Sequence, residues 1–287
     1  MLRRFRLEQP ESVSEVAGLL GQFGESAKLY AGGTELLLAM KEGFVHYERL
    51  IDVKKVRGLN EITRENGLIR IGALCTHRQL EKAPLLSQEI PSFVSLEENV
   101  ANVRVRQAGT IGGNLCFAEP HADPGTLLIA LGAKLLAEKA HSKREIPAEA
   151  FFVDAYETCL EPDEVLTQLL IPVRHQGSRS AYIKFGYLER PSVGVAVAFD
   201  LDSDGKSLRD VKVAVGCAGP APMRVPEAEA LLAGKETEEA RANLSRAGEV
   251  AAKAAQAISD LHGSQEYKEH IVQVLLKRTF DSALSQS

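Results

Sequence analysis

Between Ser12 and Gly24 the apolar residues Val16, Leu19, Leu20 and Phe23 fall on one helical face, and that spacing predicts a helix. Ser12 and Glu15 stand at capping-box spacing, and Gly24 occupies the place of a C-cap. Lys28-Leu-Tyr-Ala31 reads as a short buried strand running into Gly32-Gly33, after which Thr34 or Glu35 opens a second helix through Leu38 and Met40. Residues 49–53 predict another strand. Glu61 to Ala73 predicts a hairpin turned at Asn66-Gly67, the strongest short-range hairpin signal.

Helices are expected at about 76–82 and 91–102, followed by a glycine-rich segment, Gly109-Thr-Ile-Gly-Gly-Asn114. Pro124 suits the first turn of a helix through Leu131, and Lys134–Glu138 returns as a strand. Residues 146–172 predict one helix-like piece and a strand at 166–171, and the polar, basic run 173–180 reads as a linker. Beyond it, apolar runs at 193–201 and 211–217 flank Asp202-Ser-Asp-Gly-Lys206 as a second hairpin. Helices are expected at about 226–233, 237–259 and 264–284. Short strands mixed with helices and two hairpins predict an α+β fold rather than a regularly alternating parallel sheet.

Length and composition narrow the class. A chain of 287 residues suggests about two domains, and 45% hydrophobic with 25% charged residues is the ordinary globular balance. A net charge of −5 gives no field that favours nucleic acid or anionic membrane. The basic start, Arg3-Arg-Phe-Arg6, is followed by Glu8, Pro10 and Glu11 rather than an apolar core, so it does not read as a signal peptide. The longest apolar stretch, Thr126 to Ala137, includes Lys134 and falls short of the roughly 20 residues a membrane span needs. The expectation is a cytoplasmic protein. Cys75, Cys116, Cys159 and Cys217 are widely separated and include no C-x-x-C pair, so they read as small buried hydrophobes rather than ligands of zinc or an iron–sulfur cluster. Any metal redox centre would have to sit on another chain.

Two glycine-pair turns dominate the candidate chemistry. In Ala31-Gly-Gly-Thr-Glu35 the chain leaves a strand and presents successive backbone N–H groups before a helix, an arrangement that can cradle an anion without lysine. Thr110-Ile-Gly-Gly-Asn114 repeats the device. Taken singly, each Gly-Gly is more often a plain turn; two with the same chemistry point towards a diphosphate. No G-x-G-x-x-G occurs, which argues against a Rossmann site. Gly205-Lys206-Ser207 copies the tail of a P-loop, but Asp200 stands where the first glycine is required. Glu119, His121 and Asp123 could be imagined as metal ligands but lie isolated in one loop, and alone Asp123 reads as a helix cap and Lys184 as a solvated strand lysine.

The strings Lys28-Leu-Tyr-Ala-Gly-Gly-Thr-Glu-Leu-Leu37, Gln107-Ala-Gly-Thr-Ile-Gly-Gly-Asn-Leu115 and Ala118-Glu-Pro-His-Ala-Asp-Pro124 resemble the FAD-binding medium subunit of the molybdenum hydroxylases. Carbon monoxide dehydrogenase and the flavin domain of xanthine dehydrogenase represent that family. Pro147–Phe152, Glu164–Pro172, Tyr182–Lys184 and Ala218–Arg224 are similar to its later landmarks, in order, so the resemblance extends over nearly the whole chain.

The resemblance implies a two-lobed FAD-binding domain of the vanillyl-alcohol-oxidase/PCMH type at 1–174, with lobes of about 1–55 and 56–174. A smaller C-terminal domain of sheet and helices would follow at 179–287. It implies that Leu29, Tyr30, Ala31, Gly32, Gly33, Thr34 and Glu35, with Thr110, Ile111, Gly112, Gly113 and Asn114, grip the FAD pyrophosphate and ribityl chain, chiefly through backbone donors. Asp123 would accept from FAD hydroxyls, Val100 and Ile111 would pack at the isoalloxazine, Leu166 would border it, and Lys184 would face its polar edge. The partners implied are a large molybdopterin subunit and a small [2Fe–2S] subunit, in a dimer of heterotrimers, with an external electron acceptor. This chain would supply cofactor binding and no catalytic acid or base. Two departures stand out: Glu119 replaces a frequent Ser, and Arg190 lacks the acid that usually follows it, which leaves Arg190 outside the expected site. The rival readings are a self-sufficient flavin reductase or oxidase on the same fold and a scaffold that holds no flavin.

Gly113→Val is expected to leave the fold largely intact and to prevent FAD retention, because a branched side chain would occupy the approach of the diphosphate. The absorption spectrum of the purified variant checks this; stoichiometric yellow cofactor would show that the turn is wrongly assigned.

Overall fold

The computed structural model describes residues 2–186 and 190–285. At the N-terminus β1 (Arg6–Glu8), α1 (Val13–Phe23), β2 (Ala27–Tyr30), α2 (Leu36–Glu42) and β3 (Arg49–Asp52) build a three-stranded parallel sheet of order β1-β3-β2. The Ser12 hydroxyl accepts from the Glu15 N–H at 3.2 Å, while the Glu15 carboxylate accepts from the Glu11 N–H. Val16 and Leu20 of α1 pack with Ala27, Ile51 and Val53 in a small apolar cluster of this sheet.

The next stretch holds β4 (Ile62–Glu65), β5 (Leu68–Gly72), α3 (His77–Glu81), α4 (Pro84–Glu89), α5 (Pro91–Glu98), α6 (Val103–Ala108), α7 (Ile111–Phe117) and α8 (Pro124–Ala130). It ends with β6 (Lys134–Glu138), β7 (Lys143–Pro147), the short ribbon β8 (Phe152–Asp154) and β9 (Glu157–Thr158), and β10 (Val165–Pro172). The antiparallel sheet here runs β4-β5-β10-β6-β7. Asn66 and Gly67 have φ of 51° and 74°, as a tight hairpin turn between β4 and β5 requires.

The C-terminal part contains β11 (Ser178–Phe185), β12 (Val193–Leu201), β13 (Leu208–Gly216), β14 (Met223–Arg224), α9 (Pro226–Ala230), α10 (Thr237–Ala254) and α11 (Gln265–Leu284). Its four strands follow one another in sheet order. The mixture of separate sheets and helices is the α+β class expected. No helix among the described residues is long and apolar enough to cross a membrane.

Several local expectations differ from what forms. The helix expected over 91–102 stops at Glu98: Ala101 takes φ 41°, and the Asn102 side chain caps a separate helix, α6, through the Arg104 and Val105 N–H groups. The helix-like piece expected after residue 146 is a single 3₁₀ turn, Ala148–Ala150. The run read as a linker to residue 180 already enters β11 at Ser178. The helix expected to residue 259 stops at Ala254, with Gln256 at φ 49° beyond it.

Strand β12 shows how the parts are joined. Val193, Val195, Val197 and Phe199 point to the C-terminal helices and pack with Leu275, Leu276 and Phe280. Ala196 and Ala198 alternate with them and belong to the same cluster as Ile69, Phe93 and Leu127 of the preceding part. Large residues on one face and small ones on the other let helix α8 lie flat against β12 and β13. This two-sided burial explains why 193–201 reads as continuously apolar rather than alternating.

Ala196 is fully buried on the small-residue face. Ala196→Leu is therefore expected to cost about 1–3 kcal/mol by overpacking, read as a lower denaturation midpoint; an unchanged midpoint would mean that the two layers are not in close contact.

Candidate functional site

Ala31 to Glu35 link β2 to α2. Gly33 has φ 73°, a left-handed conformation that favours glycine, and a side chain there would collide with the Tyr30 ring. Among the described residues, none of the N–H groups of Gly32, Gly33, Thr34 and Glu35 is paired within the chain. Successive free donors around a left-handed glycine can form the concave row that an anion requires. The parallel pairing of β2 with β3 sets Tyr30 opposite Asp52, and Lys54 follows two residues later. Its ammonium sits 3.7 Å from the Tyr30 ring centroid, 3.4 Å from the Ala31 carbonyl and 3.0 Å from Asp52. Lys54 thus adds a cation beside the turn; no local motif marks it, and only the strand register places it there.

The second turn works differently from the expectation. Residues 111–117 are α7, with Thr110 as its N-cap. The Ile111 N–H donates to the Cys75 carbonyl, Gly112 to Ala73, Gly113 to the Thr110 hydroxyl and Asn114 to the Thr110 carbonyl. Those four amides are spent on the chain itself, so Thr110–Asn114 is not a second open nest. Local helix formation and pairing with the 73–77 segment took precedence over a free row of donors. What this turn offers instead is the Asn114 side chain, whose buried Oδ1 has no partner among the described residues, and exposed Gly113. A Cβ on Gly113 would meet only the Thr110 hydroxyl, at 2.8 Å.

The two turns meet. A Cβ on Gly32 would overlap the Ala108 carbonyl, and the Thr34 hydroxyl lies 3.5 Å from where a Gly109 Cβ would stand. The backbone at Gly32 therefore touches the segment that leads into Thr110, and both turns border one place. An orphaned amide oxygen, a row of unpaired N–H groups and side-chain-free backbone are features that suit a dinucleotide.

Asp123 is 4% exposed, and both its oxygens are taken. Oδ1 accepts from the Tyr182 hydroxyl at 2.6 Å and Oδ2 from the Lys184 ammonium at 2.8 Å. Burial pushes its carboxyl above the ordinary range against the pull of Lys184, and burial also drives the Tyr182 phenol well up. Asp123 is expected to accept from cofactor hydroxyls; in this arrangement it anchors Lys184, and each of its oxygens keeps a second acceptor site. That ammonium also donates to the Asn99 carbonyl at 2.8 Å, next to Val100, which leaves one of its three donors. Gly194, opposite Lys184 in β12, carries no side chain, and one there would overlap the Tyr182 hydroxyl. Val100, Ile111 and Leu166 all lie in the main apolar cluster. Arg190, left out of the expected site, reaches within 3.7 Å of Glu35. Burial raises the Glu119 carboxyl nearby, with Arg190 opposing.

A family model for the FAD binding domain in molybdopterin dehydrogenase matches residues 3–174, and one for the CO dehydrogenase flavoprotein C-terminal domain matches residues 191–283. The chain belongs to the family of FAD-binding domains of molybdopterin dehydrogenases, carried together with that C-terminal domain. It is 31% identical to the carbon monoxide dehydrogenase medium chain of Hydrogenophaga pseudoflava, over 98% of this chain and 97% of that one. It is 32% identical to the nicotine 6-hydroxylase medium subunit of Paenarthrobacter nicotinovorans, over 98% of each. A chain of the reconstituted CO dehydrogenase from Oligotropha carboxidovorans superposes with a TM-score of 0.94 at 27% identity, over 100% of both chains.

Removing the Asp123 carboxylate would strand a nearly buried ammonium and phenol. Asp123→Ala is expected to destabilise the chain by about 3–5 kcal/mol, measured by denaturant unfolding of the FAD-free protein. A loss below about 1 kcal/mol would show that Lys184 finds water instead.

Proposed function

We infer that the chain is the FAD-carrying electron-transfer subunit of a molybdopterin-dependent hydroxylase or dehydrogenase. A small partner subunit with [2Fe–2S] clusters delivers the electrons, a large molybdopterin subunit oxidises the substrate, and an external acceptor collects the electrons; the assembly is a dimer of heterotrimers. The observation that carries this reading is the contact of the two glycine turns within a chain whose whole length matches medium subunits. Those relatives are chains and subunits of larger enzymes by name, which supports this reading over a self-sufficient flavin enzyme.

FAD, when bound, accepts electrons singly and releases them singly or as a pair. The chain's own residues hold and shield it. The open N–H row of Gly32–Glu35, with Lys54 beside it, takes the diphosphate, and Leu29, Tyr30 and Ala31 form the approach to that turn. Thr110, Gly112, Gly113 and Asn114 border the same place, with the Asn114 amide as the polar contact. Val100, Ile111 and Leu166 form the apolar side towards the isoalloxazine. Lys184, fixed by Asp123 and Asn99, presents its remaining donor to the ring's polar edge and favours charge on the reduced cofactor. The division at 1–174, with lobes of about 1–55 and 56–174, and at 179–287 belongs to the same reading, supported by separate sheets for the three parts. The location is the cytoplasm, a reading supported by four free cysteines.

Co-expression with molybdopterin and [2Fe–2S] subunits, followed by purification through a tag on this chain, tests the assignment. The expected result is a co-purifying complex with flavin absorption, whose flavin is reduced by substrate only when the [2Fe–2S] subunit is present. Turnover of substrate by this chain alone would contradict it.

A further inference from the structure

His77 opens α3, held in place by the Thr76 capping box: the Thr76 hydroxyl accepts from the Gln79 N–H, and the Gln79 side chain accepts from the Thr76 N–H. The His77 backbone N–H donates to the Gly109 carbonyl at 3.1 Å. Its Nδ1 lies 2.6 Å from Glu97 Oε2, with the two side chains only 3% and 0% exposed. The other edge of the ring faces the junction of the glycine turns. Cδ2, bonded to Nε2, is 3.3 Å from where a Gly109 Cβ would stand, and the Thr34 hydroxyl is 3.5 Å from the same point. Among the described residues Nε2 has no partner. It is not among the fully buried side-chain atoms that lack a partner, so a trace of surface remains at this nitrogen for a ligand atom to reach.

We propose that His77 is a further cofactor-binding residue, whose Nε2 takes a hydroxyl of the FAD ribityl chain, with Glu97 as its positioning residue. The proposal rests on the FAD assignment above. With the Nδ1 proton directed at the Glu97 carboxylate, Nε2 of that tautomer accepts. A sugar hydroxyl supplies the proton it needs and a diphosphate does not. The neighbouring N–H row at Gly32–Glu35 already suits the diphosphate, so the two features divide the cofactor between them.

His77→Asn tests this, because the shorter amide can keep a donor towards Glu97 while removing Nε2. His77→Gln places an amide near the lost Nε2. FAD-free full-length chain is titrated with FAD, displacement by ADP is measured, and melting is followed without ligand. The expected result for His77→Asn is an FAD Kd raised about tenfold, with ADP affinity and FAD-free melting unchanged and with partial recovery in His77→Gln. An unchanged FAD Kd, with or without lower melting, overturns the proposal and makes the His77–Glu97 pair purely structural. Equal weakening of FAD and ADP overturns the ribityl assignment. Failure of the wild-type chain to bind FAD removes the functional reading itself, and this proposal with it.

Discussion

Gly32 has no side chain to hold it away from the Ala108 carbonyl, and the site depends on that contact. It brings two segments far apart in the chain to one location. Backbone approach of this kind tolerates no Cβ, so the requirement appears in the amino-acid sequence as a glycine that the turn itself does not demand: Gly33, not Gly32, has the positive φ. Gly33 shapes the turn, and Gly32 lets it dock. With both in place, the turn that carries the unpaired N–H groups of residues 32–35 lies against Ala108 and Gly109, the segment that leads to Gly113 and Asn114.

A second constraint joins this region to the C-terminal part. Asp123 precedes α8, whereas Tyr182 and Lys184 stand on β11, and the hydrogen bonds among them cross from one part to the other. The small-residue face of β12 allows the approach: Gly194 leaves room for the Tyr182 ring, and Ala196 and Ala198 let the sheet pack on the main core. The C-terminal domain is thus more than an appendage. It contributes Lys184 and Tyr182 to a cluster whose buried carboxylate, Asp123, comes from the preceding part.

Much of the first turn was legible because its chemistry is local: a strand, two glycines, a hydroxyl, an acid and a helix in immediate succession, although of that strand, expected to be buried, only Ala27 is. The Asn66-Gly67 hairpin and the Pro124 helix start were legible for the same reason. The second turn misled, since whether an amide is free depends on what lies opposite, and here Ala73 and Cys75 do. Lys54 could be found only through the register of β2 against β3. The partners of Asp123 lie 59 and 61 residues away, beyond any pattern read along the chain. The break between α5 and α6 rests on a left-handed alanine, Ala101, which carries none of the glycine or asparagine signals that usually mark such a conformation.

The convergence of the two turns on a single dinucleotide is tested most directly by a structure of the chain with FAD bound. The account predicts the diphosphate against the N–H groups of Gly32–Glu35, with the Asn114 side chain on the same molecule. A diphosphate bound elsewhere, or a cofactor that touches one turn and leaves Asn114 Oδ1 unpaired, would contradict it.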